Sequence, residues 1–187
     1  MTSDPTLPRS DNGLTVRDLM TSVAGLATVT PEWTLREVAE LLTAWFERAC
    51  EQLLLHGGRH LRLLGAGLLV VFPEQPEAPG VAIRRGLSAA FAVTLAGHEF
   101  RGWLERRFAE RGLPPFAIGL GLHRGEFTLW RPQADEAREV MPVGPVVNAA
   151  VRLVLASREL GWTLVASVAV LEAAGDGVET GAMTALQ

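Results

Sequence analysis

A chain of 187 residues with 48% hydrophobic content can bury one ordinary core and is too apolar to be disordered. Its net charge of −4, with acids and bases scattered, argues against a nucleic-acid or membrane-surface partner. No apolar run reaches membrane-spanning length, the start of the chain is polar, and the single Cys50 cannot close an internal disulfide, so a cytoplasmic location is expected.

Residues 1–13, rich in Asp, Pro, Ser and Thr, read as a flexible N-terminal arm. The apolar stretch 14–27 reads as a strand. TLREVAELLTAWFERACEQLLLHGG then carries a clear helical pattern. Thr34 and Glu37 have capping-box spacing, Leu35, Val38, Leu41, Leu42, Trp45 and Phe46 recur on one face, and Gly57 and Gly58 end it. Two strands, 60–64 and 68–72, flank the turn Gly65-Ala66-Gly67. A tight turn usually carries an Asx residue or another glycine at its tip, because those tolerate φ > 0; here the tip is an alanine.

After the proline-rich PEQPEAPG, a helix is predicted from 81 to about 111. FAIGLGLH, residues 116–123, reads as a strand whose glycines mark close backbone approach, and 125–130 as its hairpin partner. RPQADEAREVMP is a polar loop. A helix over 146–160 with Asn148 in its first turn, a short strand TLVAS and a short helix to Ala174 follow; 175–187 read as a tail. The order β-α-β-β-α-β-β-α-β predicts one α+β domain over 14–174, a sheet with helices packed on one face. His123 is expected to be a strand-end residue, Cys50 a core-facing one, and Arg84-Arg85 and Arg106-Arg107 solvated helix faces.

Three segments, in order, carry a resemblance: HGGRHLRLLGAGLLVVF, IGLGLHRGE and VGPVVNAAVRL. SVAGLATVTPEW adds a softer match. Together they resemble the signature stretches of class III adenylate/guanylate cyclase catalytic domains. The resemblance implies a cyclase-homology fold, derived from the ferredoxin-like βαββαβ sheet, across most of the chain. In that family a ribose 3′ hydroxyl attacks the α-phosphate of a nucleoside triphosphate, and two aspartates hold two divalent ions. Mg²⁺ requires hard oxygen ligands, and carboxylates supply the charge.

The family's two aspartate positions fall on Ser22 and Ala66. A hydroxyl is a neutral, weak ligand and a methyl is none. An alternative register would put Asp18 at the first position, at the expense of the match at Gly25. The base-reading positions fall on Arg62, where adenylate cyclases carry Lys, and on Met141, an apolar group that cannot read a base edge. Two family positions are retained. Asn148 matches the Asn that orients the ribose, and Arg152, one helical turn later, the Arg that stabilises charge on the phosphoryl group. Pro145 replaces the acidic residue that follows the family's Gly.

The resemblance with these substitutions implies a catalytically degenerate cyclase-like domain, a dimerising regulatory or nucleotide-sensing module in signal transduction. No cofactor is expected, and Mg or Mn only if the domain is active. The expected partner is a second copy in a homodimer, with a nucleotide as the possible ligand. The competing expectations are a functional cyclase, or a heterodimer subunit whose Asn148 and Arg152 complete the site of an active partner.

Overall fold

The computed structural model describes residues 15–25, 34–64, 67–74, 80–111, 116–130 and 141–185. The expected N-terminal arm, the tip residue Ala66 and most of the polar loop after Trp130 lie outside them. In chain order the elements are β1 (Thr15–Gly25), α1 (Leu35–Leu55), β2 (Arg59–Leu64), β3 (Gly67–Pro73), α2 (Val81–Arg107) and β4 (Ile118–Trp130). Then follow β5 (Met141–Val143), α3 (Pro145–Glu159), β6 (Leu164–Ala166) and α4 (Val168–Ala174). The described strands form one six-stranded sheet in the order β2-β3-β1-β4-β5, with β6 pairing β4. β6 runs parallel to β4, and every other described pairing is antiparallel.

α1 begins where its capping box dictates. The Glu37 backbone N–H donates to Thr34 Oγ1 at 3.3 Å, and the Thr34 N–H donates to Glu37 Oε2 at 3.0 Å. Two backbone donors at the start of the helix are thereby satisfied. Arg111 holds Glu37 from α2's end of the molecule, Nη1 to Oε1 at 2.6 Å.

Side chains alternate across the sheet with the pleat. Leu68, Val70 and Phe72 of β3 and Leu120 and Leu122 of β4 join α1, α2 and Val170 of α4 in the larger core. Within it Trp45, Phe100 and Phe116 form an aromatic triangle with centroids 5.2–5.7 Å apart. Such pairs add about 0.5–1.5 kcal/mol each beyond area burial. Leu69 and Val71 point the other way, into a smaller core with Phe127 and with Val146 and Ala150 of α3.

The α+β sheet is therefore as expected, but its helices do not all share one face. Among the described helices α1, α2 and α4 pack on one side, and α3 packs on the other. The reason lies in β4. A Cβ on Gly121 would sit 2.6 Å from Ala150 O and 2.8 Å from Val154 N, so only glycine lets α3 lie this close. A second correction concerns residues 125–130. They continue β4 as a single 13-residue strand rather than folding back as a hairpin partner, and the return strand is β5. Gly125 sits opposite Asp18 in the ladder, not in a turn. α2 ends at Arg107, short of the expected 111.

Candidate functional site

β1 is the central strand of the ladder, and its register fixes where the sequence-derived positions lie. Ser22 is paired with Leu69 on one side and Gly121 on the other. Arg62 pairs Leu69 across β2 and β3, so Arg62, Leu69, Ser22 and Gly121 form one row. Two strand spacings, about 10 Å, separate positions 62 and 22. Ala24, two residues further, pairs Gly67, the residue that follows Ala66 in the chain. Asp18 pairs Pro73, at the opposite end of β3 from Gly67. It lies roughly 13 Å along β1 from position 22. Met141 pairs Trp130, at the far end of β4 from Gly121.

Asn148 and Arg152 sit one turn apart on α3 and are both exposed. The buried residues of α3 are Val146, Ala150, Leu153, Val154, Ala156 and Ser157, centred on the side opposite Asn148. The Ala150–Val154 turn rests directly over Gly121, the residue opposite Ser22. Arg152 therefore stands at the level of Ser22 but on the helix side turned away from β4. One chain brings Asn148 and Arg152 together, and puts the body of α3 between them and the strand that carries Ser22.

Among the described residues the ladder around position 22 supplies no carboxylate to a divalent ion. The ladder neighbours of Ser22 and Ala24 are Leu69, Gly67, Gly121 and Gly119, and none offers an oxygen from its side chain. Among the described residues no three His, Cys, Asp or Glu side chains come together to hold a metal. His123 shares a hydrogen bond with Ser167, Nδ1 to Oγ at 2.9 Å, and burial pushes its imidazole pKa down. It lies inside β4 rather than at the expected strand end, because β4 runs on to Trp130, and it ties that strand to Ser167 just after β6. Cys50 is half-buried, and burial pushes its thiol up, away from nucleophilic use. Arg84, Arg85, Arg106 and Arg107 are all exposed on α2.

Two cavities flank β6, away from the exposed side of α3. The larger, about 590 Å³, is apolar and is bounded by Phe91, Leu164, Leu171 and the segment Val178–Thr184. The smaller, about 340 Å³, is bounded by His98, Arg101, Arg158 and Thr163. Arg101 donates through Nη2 to the Phe116 carbonyl. No local cue points to this cluster, because Arg101 and Arg158 come from different helices and match no motif.

This element order and sheet register define the fold of class III nucleotidyl cyclase catalytic domains. The guanylyl cyclase Cya2 superimposes with a TM-score of 0.76 at 22% identity, over 94% of this chain and 87% of that one. The adenylyl cyclase CyaB from P. aeruginosa gives 0.68 at 18% identity, over 88% and 84%. A class III adenylyl cyclase-like ATP-binding protein from Pseudomonas aeruginosa gives 0.66 at 16% identity, over 91% of this chain but 38% of its own length. No protein-family model and no curated protein sequence matches the chain. Among the described residues no helix is long and apolar enough to cross a membrane.

Proposed function

We propose that this domain is a catalytically degenerate member of the class III nucleotidyl cyclases, acting as a dimerising regulatory module that senses a nucleotide or related ligand. The observation that carries the reading is the pair of substitutions at the family's metal positions. Ser22 sits in a row with Leu69 and Gly121, and Ala66 immediately precedes β3 in the chain. A Lewis-acid ion is worth several kcal/mol to phosphoryl chemistry. Losing about 5 kcal/mol slows a reaction by roughly 10³–10⁴. The position of Asp18, paired with Pro73, supports Ser22 over Asp18 as the family position. Arg62 and Met141 at the base-reading positions also depart from the adenylate cyclase pattern.

The test is a product assay with ATP and GTP, each with Mg²⁺ and with Mn²⁺, read by chromatography. The expected result is no cyclic nucleotide above a blank. Turnover that Arg152→Ala abolishes would overturn the reading. Calorimetric titration with the same nucleotides measures sensing directly. Light scattering should give twice the 20.1 kDa chain mass, and a monomer at micromolar concentration and above would count against the dimer.

A second reading is favoured by one observation. Asn148 and Arg152 are exposed on the side of α3 away from β4, the side that a different chain would approach. In a heterodimer they would complete a site whose carboxylates come from an active partner. Mixing this protein with a cyclase domain that keeps its aspartates but has lost its own Asn and Arg separates the two. Activity restored by wild type and not by Arg152→Ala supports the heterodimer.

A further inference from the structure

We propose that the two cavities beside β6 are one trough that binds a long-chain monocarboxylate. The head group sits between Arg101 and Arg158, and the alkyl tail runs toward Phe91 and Leu164. Three elements carry the trough from one cavity into the other. On α2, Leu87 and Phe91 line the apolar cavity, and Thr94, His98 and Arg101 line the basic one. Their spacing of four, three, four and three residues is a single helical stripe. On α3, Leu153 faces the first cavity and Ser157, one turn on, the second. At β6 the change falls between Leu164 and Thr163, and Trp162 borders both.

The stripe from Leu87 to Arg101 spans roughly 21 Å at the helical rise, the scale of a medium-to-long alkyl chain. Polarity changes along that length. Phe91 is 60% exposed, an apolar side chain left partly in water at the wall of the larger cavity. Arg101, Arg158 and His98 bound the smaller cavity, which no carboxylate lines, although acids outnumber bases in the chain. The acid in the larger cavity's lining is Glu179, exposed on its C-terminal wall.

Arg101 is positioned by the Phe116 carbonyl, and its guanidinium retains further N–H donors. The stem of Arg158 lies over Gly119, where a Cβ would meet its Cγ at 3.3 Å. Among the described residues the Arg158 guanidinium has no hydrogen-bond or ion-pair partner. Paired guanidiniums suit the planar, bidentate geometry of a carboxylate. A short anion would leave the apolar end unused, and a neutral alkyl chain would leave the cations unused.

The experiment is calorimetric titration of the full chain with octanoate, decanoate and dodecanoate below their micelle concentrations, beside acetate and dodecanol. One saturable site is expected, and each two-carbon step should tighten binding by about tenfold. Arg158→Gln should weaken dodecanoate at least tenfold and leave dodecanol unchanged. Phe91→Ser should weaken both. Arg101→Gln is the less secure probe, because it also removes the bond to Phe116, so its melting curve is compared with wild type first. Equal dodecanoate affinity in wild type and Arg158→Gln would overturn the proposal. So would acetate binding as tightly as dodecanoate, or multiple non-saturating sites.

Discussion

Toward α1 and α2 the sheet presents Leu68, Val70, Phe72, Leu120 and Leu122, and toward α3 it presents Leu69, Val71 and two glycines of β4. The first face is thick, filled by large side chains and closed by an aromatic triangle. The second is thin, and a single helix lies almost on the backbone of the strand beneath it. The difference separates two tasks. The thick face supplies stability, while the thin face sets the height and angle of α3, and so of Asn148 and Arg152.

The largest effect should come from the thick face. Trp45→Ala is expected to cost about 3–5 kcal/mol in chemical denaturation, because it empties a fully buried indole site. Trp45→Phe should cost clearly less. The indole Nε1 is buried without a hydrogen-bond partner, so phenylalanine removes an orphan donor as well as volume. If the two variants are equally unstable, the indole is not serving as simple apolar fill.

Next comes repair at the strand end. Ser22→Asp with Ala66→Asp should bind Mn²⁺ and gain roughly 2.7 kcal/mol at a hundredfold excess over Kd. In EDTA the double variant should melt below wild type, because two carboxylates then repel one another. If Mn²⁺ shifts both proteins equally, positions 22 and 66 do not form a site, and the thin face has lost nothing there.

Gly121→Ala probes the thin face itself. Its Cβ would strike the α3 backbone, so a loss of about 1–3 kcal/mol is expected, with α3 displaced. Any nucleotide binding that depends on Arg152 should fall with it. Gly181→Ala, which meets nothing within 4 Å, should be silent in both measurements.

The smallest expected effect lies at the start of α1. The Arg111 side chain, followed by the Thr34 backbone and hydroxyl, holds the Glu37 pKa down at about 2 from 4.5. A carboxylate whose folded pKa is depressed stabilises above its unfolded pKa and loses that contribution as pH falls through the folded one. The melting-temperature gap between wild type and Glu37→Gln should therefore close between pH 4.5 and pH 2. A gap that stays constant over that range would mean the pair is screened out in solution.

Local signals made much of this fold legible in the sequence. The capping box at Thr34 and the paired glycines at 57 and 58 bounded α1 to within a residue. What escaped was non-local. Gly125 reads locally as a turn, yet its neighbours are Val146 of α3 and Asp18 of β1, which no local window contains. The side taken by α3 depends on the parity of the glycines at 119 and 121, and that has meaning only once β4 is known to be continuous. For the candidate site, the i, i+4 spacing of Asn148 and Arg152 gave their common helix face. That this face turns away from Ser22 required the packing of α3. The cations beside β6 were invisible, because Arg101 and Arg158 come to line one cavity only through tertiary structure.

β1 precedes the other described strands in the chain yet is central in the sheet, with a consequence for synthesis. Thr15 pairs Thr128, so the strand cannot complete its ladder until β4 has left the ribosome. At about 5–20 residues per second, that wait is roughly 5–20 s. During that interval one edge of an early strand lacks its native partner, an invitation to pairing between nascent chains. Such long-range pairing also makes for slow folding. A chaperone that shields residues 15–25 until β4 emerges should raise the yield of folded protein more than one acting after release.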